Sequence, residues 1–372
     1  QAWDAGTFLI LGSGMTIIPP SGSQPHPATS RERLRLEEGT LQHASSSPTW
    51  RERAAGILRD QGILVAFVVL MIVMSFSIDR FATSENLLAV IRQVSILGTI
   101  ALGVTFVVIG GNLDLSVGSM LSLTTVMVVD LHDKIGPGPA IAVTLVVALL
   151  AGAVNGTLVG IFRLNSLIVT LGMLSVLQGA TLLYSGGKNV DIANQDETWF
   201  SVFGRGRLIS AGGIDINVPV VLFLGLAVVL GIVLHRTSFG RKVFAVGGNR
   251  VAAAYTGLRA SRIVFMTYLI SAFSVFAGAV ILGSRVMGSQ NTVGQTWELQ
   301  VLAGIILGGT SLLGGSGSIF KTVIGVLIFG FINNGLLLLG FPFYAQWIVT
   351  WIVIILVVWL DVAAKRGRLW AA

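Results

Sequence analysis

Long, nearly uncharged apolar runs are the feature that most narrows what this chain can fold into. They lie at about 61–79, 92–110, 115–131, 139–162, 166–185, 217–235, 262–284, 298–313, 318–340 and 345–362. A hydrocarbon core about 30 Å thick takes roughly 20 helical residues to cross. Backbone exposed to lipid must satisfy its own hydrogen bonds, and the runs lack the two-residue alternation of barrel strands, so helices are the remaining solution. The expected fold class is therefore all-α, a polytopic transmembrane protein of about ten spans. Composition agrees, with 53% hydrophobic and 11% charged residues, where a soluble domain carries about 25% charge.

Several chemistries are excluded early. With no cysteine there can be no disulfide, thiolate metal site or thiol nucleophile, and the four histidines, His26, His43, His132 and His235, lack ligand spacing. Neither a catalytic set nor a metal site is expected. The net charge of +7 comes from short segments between apolar runs, the pattern of membrane orientation rather than of nucleic-acid binding.

That charge also sets an expected sidedness. The loop from Arg236 to Arg262 carries Arg236, Arg241, Lys242, Arg250, Arg259 and Arg262 and no acid, so it belongs in the cytoplasm. Counting spans in both directions places Arg51, Arg53 and Arg59, and Lys365, Arg366 and Arg368, on the same side. Both termini are then cytoplasmic, and the mixed-sign loop 186–216 is external. Phe8 to Ile18 is apolar but short, lacks a basic flank and meets Pro19-Pro20, so no cleavable signal is expected there. Residues 19–49 are rich in Pro, Ser and charge. Residues 1–50 read as a mobile tail and 51–372 as the membrane domain.

Many of the 46 glycines fall inside the runs, among them Gly98, Gly103, Gly152, Gly156, Gly160, Gly325, Gly330 and Gly335, where small residues let helices approach closely. Others interrupt them. Gly110-Gly111, and Gly308-Gly309-Thr310-Ser311-Leu312-Leu313-Gly314-Gly315, split what would be very long runs and predict broken or re-entrant helices. The shared Gly-Gly-x-x-Leu pattern hints at a repeat.

Asp114, in the segment Gly110 to Ser119 that also holds Gly118, is an acid between two apolar runs. It reads either as a cap on the following helix or as a functional intramembrane group. Between the cytoplasmic basic residues, Gly247-Gly248-Asn249 precedes Val251-Ala252-Ala253-Ala254-Tyr255, with Gly257 following. Asn249 suits an N-cap and Gly257 a left-handed terminator, predicting one short helix outside the bilayer. An alanine-rich helix there needs a surface to dock on, which a soluble partner would supply. Gly315 to Thr322 imitates a phosphate loop, but Phe320 stands where glycine is required, so whatever energises this protein lies in another chain. Asn155, Gln178, Asn333, Asn334 and Gln346 are neutral hydrogen-bonding groups within or beside the runs. They suit interhelical bonding or a path for a neutral polyhydroxylated solute, with Asn155, Asn333 and Asn334 as the path candidates.

The segments Gly110–Ser119, Asn165–Gly172, Gly240–Gly257, Gly308–Gly317 and Asn333–Gly340, taken in order, resemble the membrane permease subunit of bacterial ABC-type monosaccharide importers, the ribose, xylose, arabinose and galactose group. The resemblance covers about residues 60–362. It implies a permease in the bacterial inner membrane that pairs with a second permease copy or a close relative, two cytoplasmic ATPase subunits holding ATP and magnesium, and a periplasmic sugar-binding protein. Asn249 to Gly257 then resembles the family's coupling helix. Two rivals stand beside it: an ion-coupled secondary sugar transporter using Asp114, and a membrane enzyme using Asp191, Asp196 and Glu197.

Overall fold

A computed structural model describes residues 50–193, 198–211, 214–342 and 344–349, together with 351, 352, 355 and 359. The expected tail, but for Trp50, lies outside those residues, as do Asp196, Glu197 and the basic cluster Lys365, Arg366 and Arg368. The chain divides into two units, residues 1–60 and 61–372. Of the first, helical backbone is described at 50–60.

The helices are α1 (Trp50–Ser77), α2 (Ser84–Ile109), α3 (Val117–Ile135), α4 (Pro137–Gly156, continued by a wide turn over Thr157–Ile161), α5 (Ser166–Ser185), the short α6 (Val202–Arg205), α7 (Val218–Arg236), α8 (Ser238–Gly248), α9 (Arg250–Tyr255), α10 (Ala260–Val286), α11 (Trp297–Leu307) and α12 (Ile319–Leu338). Two small antiparallel ribbons join them. In one, β1 (Val190–Asp191) pairs with β4 (Gly288–Ser289), with Val190 opposite Ser289. In the other, β2 (Arg207–Ala211) pairs with β3 (Ile214–Asn217). Among the described residues the protein is all-α but for these two ribbons.

Among the described residues, six helices are long and apolar enough to cross a membrane: Ser84–Ile109, Pro137–Ile161, Ser166–Ser185, Val218–Arg236, Ala260–Val286 and Ile319–Leu338. The other expected spans fare differently. The apolar parts of α1 and α11 are shorter; α11, at about 16 Å, is too short to cross alone. Helix α3 ends in polar Asp130, His132, Asp133 and Lys134, and the run at 345–362 is only partly described.

Burial separates helices of similar hydropathy. The apolar windows of α2 and α10 are each 67% buried, those of α5 and α7 only 17% and 22%. Lipid tails are as apolar as leucine, so an outward Leu or Val costs nothing there, and close packing decides which helices are central. Glycine provides that closeness. Along α4, Gly152, Gly156 and Gly160 recur every four residues and lie against Tyr268, Phe265 and Ser261 of α10; Gly103 of α2 lies against Ser274. Gly98 faces Phe223, Gly330 faces Val94 and Gly335 faces Met74, as the packing reading of these glycines expects.

Candidate functional site

Both interruptions are the same turn. After α2, the Gly111 amide donates to Val108 O (2.9 Å) and the Asn112 amide to Val107 O (3.1 Å), with Gly111 at φ +76°. After α11, the Gly309 amide donates to Ile306 O (2.7 Å) and the Thr310 amide to Ile305 O (3.3 Å), with Gly309 also at φ +76°. This is a Schellman termination, which places a left-handed residue where only glycine fits cheaply. The pattern shared by the two sequences therefore has a shared geometry.

The first of these turns, and the loop that follows the second, meet a third glycine pair. Gly247 and Gly248 close α8, and a Cβ on Gly247 would fall on the Ile109 carbonyl oxygen and 2.8 Å from the Gly315 amide nitrogen. That amide donates to Ile109 O at 2.8 Å. Gly314, at φ +84°, has so little room that a Cβ would sit 2.7 Å from both Gly111 Cα and Gly247 O, and one on Gly315 would sit 2.6 Å from Gly248 Cα. Gly110-Gly111, Gly247-Gly248 and Gly314-Gly315 thus form one backbone junction between the end of α2, the segment joining α11 to α12 and the loop expected in the cytoplasm. Gly308 packs on Lys321 O, and Gly118 lies apart from the junction, against Gly294.

Immediately after the junction comes α9, where the Asn249 carboxamide oxygen accepts from the amides of Val251 (3.0 Å) and Ala252 (2.9 Å). Gly257 follows at φ +80°. The short capped helix expected from sequence is present. One expectation about it needs correction. Ala253 lies in the helix expected to dock on a partner, yet it is 5% exposed and belongs to the core cluster of Val243, Val246 and Leu258. Its neighbours Ala252 and Ala254 are exposed, and so are Val251 (65%) and Tyr255 (89%), spaced four apart on one face.

Beside that face a recess of about 750 Å³ is lined by Arg163, Arg250, Arg259 and Arg262, among others, with no acidic residue. Burial first, then the like charge of Arg163, holds the Arg250 guanidinium below its ordinary range. Its Nη2 donates to Gly160 O at 3.2 Å. Sequence reasoning missed Arg163, although its position just after the run at 139–162 puts it on the same side as the basic loop.

A buried polar network lies deeper. Asp114, 1% exposed, accepts through Oδ1 from the Ser116 hydroxyl (2.7 Å) and amide (3.2 Å), and through Oδ2 from Ser271 Oγ (2.9 Å). The helix after it begins at Val117, with Ser116 as its capping position, so Asp114 stabilises the turn before the helix rather than the helix amides. Asn155, fully buried, donates to Ser116 Oγ at 2.8 Å, and Tyr268 donates to Leu113 O at 2.8 Å.

The amide candidates are thereby separated. Asn155 belongs to the Asp114 network. Asn334 forms a reciprocal carboxamide pair with Asn86, both bonds 2.9 Å. Asn333 donates to Phe329 O at 3.1 Å, and both Asn333 and Asn334 line a cavity of about 300 Å³ that Asn155 does not reach. That cavity lies between α2, α11, α12 and residues 346–351, and Gln93 in its wall is about 24 Å of helix from Ile109 and the glycine junction.

On the loop expected outside, His132 Nδ1 lies 2.7 Å from Asp133 Oδ1 and Nε2 lies 2.7 Å from Thr198 Oγ1. Thr198 Oγ1 also accepts from the Phe200 amide at 3.2 Å. Of the residues offered for an enzyme, Asp191 sits in β1, and among the described residues no cluster of three His, Asp or Glu could hold a metal.

Residues 86–358 match the family model described as branched-chain amino acid transport system / permease component. The chain is 38% identical over 309 residues to the ribose import permease protein RbsC of Bacillus subtilis (strain 168), covering 82% of this chain and 94% of that protein. It is 35% identical over 308 residues to the ribose import permease protein RbsC of Escherichia coli (strain K12), with the same coverage. Against the L-arabinose transport system permease protein AraH of that strain it is 32% identical over 317 residues, 84% of this chain and 94% of the relative. No solved structure matches it.

Proposed function

This chain belongs to the permease subunits of bacterial ABC-type sugar importers, and from that membership we propose that it carries a monosaccharide, a ribose-like pentose or a hexose, into the cytoplasm on energy supplied by partner ATPase subunits. The observation that carries the reading is the glycine junction. It joins the end of α8, which leads directly into α9, by direct backbone contact to the end of α2 and to the segment between α11 and α12. Packed backbone of this kind transmits rigid-body shifts rather than absorbing them.

In the proposed assembly, Gly247 to Gly257 couples to the ATPase, with Val251 and Tyr255 as the contact face and Ala253 as its internal anchor. The arginine-lined recess complements an acidic partner surface. A second permease copy completes the pathway, a periplasmic binding protein delivers the sugar, and ATP and magnesium bind in the ATPase. Both termini lie on the cytoplasmic side of the bacterial inner membrane in this assembly, with residues 1–50 as a tail and 51–372 as the permease domain. The chain itself performs no covalent chemistry. Asn333 faces the pathway from the cavity wall, while Asn334 is held by Asn86.

The test is sugar uptake by proteoliposomes holding the permease, its ATPase and its binding protein. ATP-dependent uptake of a pentose or hexose, unaffected by collapsing ion gradients, is the expected result. Uptake driven by an ion gradient without the ATPase would favour the secondary-transporter reading.

A further inference from the structure

We propose that the cavity between α2, α11 and α12 is a resting site for one neutral, polyhydroxylated solute of monosaccharide size, held by Gln93, Gln300 and Asn333 against the rings of Trp297 and Trp347. The proposal deepens the sugar-import reading and rests on it for the identity of the solute.

Three features of the wall support this class of ligand. No acidic or basic side chain lines the cavity, so an ion or a zwitterionic amino acid would leave its charge uncompensated there. Carboxamides both donate and accept, which matches hydroxyl groups that do the same, and four line the wall besides Asn334: Gln93, Gln300, Asn333 and Gln346. Among the described residues, the side chains of Gln93 and Gln300 have no partner within the protein, whereas Gln346 donates to Phe341 O at 2.7 Å and Asn334 is committed to Asn86. Finally, flat aromatic surface beside a few polar groups is the usual make-up of a small-molecule site, and about 300 Å³ is the lower end of the usual range of about 300–1,000 Å³.

The backbone adds an independent sign. Thr296, in the cavity wall, is a β-branched residue at φ +67°, a conformation unfavourable in a non-glycine residue and one that clusters at ligand sites. It starts α11, so Trp297 and Gln300 follow from it on the first turn. A ligand held there touches the helix that ends in the Gly308-Gly309 turn. That helix of 11 residues runs from the cavity to the turn that precedes the Gly314-Gly315 side of the junction.

The absence of native cysteine gives a direct test. Gln93→Cys in the full chain, in lipid nanodiscs, is modified with a small maleimide in the presence of D-ribose, L-arabinose, D-glucose or L-leucine, with Lys188→Cys as a remote control. At least one monosaccharide is expected to slow modification at position 93 by about tenfold while leucine does not, and position 188 is expected to be unaffected. Adding Gln300→Leu should raise the sugar concentration for half-protection by about five- to tenfold, the loss of roughly one hydrogen bond to a buried ligand. No protection by any of the sugars, or equal protection by leucine, would overturn the proposal. If ATP-driven sugar uptake persisted without such protection, the resting site alone would fall. If uptake itself failed, the import reading would fall first.

Discussion

The Cα of Gly247 is pressed so closely against the carbonyl oxygen of Ile109 that no side chain can stand at position 247. Residues 138 apart in sequence share a backbone contact there, and the adjoining Gly315 amide donates to the same carbonyl at 2.8 Å. Three flexible-looking glycine pairs therefore make a tight joint rather than three loose hinges.

Gly247→Ala should damage that joint. The methyl group would overlap the Ile109 carbonyl, so the backbone must shift, and a destabilisation of about 1–3 kcal/mol is expected. Gly248→Ala has only Gly315 Cα at 3.9 Å to meet and should be tolerated far better. Thermal unfolding of the two variants in the same detergent compares them. Equal melting temperatures would mean the close approach carries no weight.

The two faces of α9 separate docking from folding. Tyr255→Ala and Val251→Asp change exposed side chains and should leave the melting temperature near that of the parent while weakening stimulation of transport by ATP. Ala253→Asp puts a charge into a packed position and should destabilise the permease itself. Asn249→Ala removes the cap and costs α9 about 1 kcal/mol, read as faster amide exchange over 250–255; Asn249→Asp should restore it.

Asp114 distinguishes a structural carboxylate from a proton carrier. Asp114→Asn keeps an acceptor for Ser116, and the Ser271 hydroxyl can turn to accept from the new amide, so ATP-driven uptake should survive. Asp114→Ala leaves buried hydroxyls unsatisfied and should cost about 1–3 kcal/mol. Uptake abolished by the Asn variant in a protein of unchanged melting temperature would point to proton coupling instead.

The Asn86–Asn334 pair should behave as an interhelical fastener. A double-mutant cycle with alanine at each position is expected to give a coupling of about 0.6 kcal/mol, measured by unfolding, with no change in which sugar is taken up. A change in sugar preference with no coupling would move Asn334 from packing to recognition.

How much of this was legible in the sequence depended on the range of the interaction. The cap of Asn249, the left-handed Gly257 and the two helix breaks are settled within a few residues, and local chemistry was enough to expect them. The junction brings together Ile109, Gly111, Gly247 and Gly315, each of which looks like an ordinary turn when taken alone. Gln93, Trp297 and Gln300 drew no notice for the same reason: a carboxamide or an indole at a helix end becomes a cavity wall only through its neighbours from other helices. Ala253 misled because alanine suits a docking face and a packed core equally; the exposed pair Val251 and Tyr255, four residues apart, carried the better clue. Among the described residues six of the ten expected spans are long apolar helices; hydropathy alone did not show that α11 stops after 11 residues.

The account depends above all on α9 facing the cell interior, where an ATPase can reach it. A single cysteine introduced by Tyr255→Cys, exposed in the structure and free of competing thiols, can be treated with a membrane-impermeant maleimide in spheroplasts whose inner membrane is intact. The expected outcome is no labelling until that membrane is opened, with a Lys188→Cys control labelled from the start. Labelling of the Tyr255→Cys protein in intact spheroplasts would contradict the account.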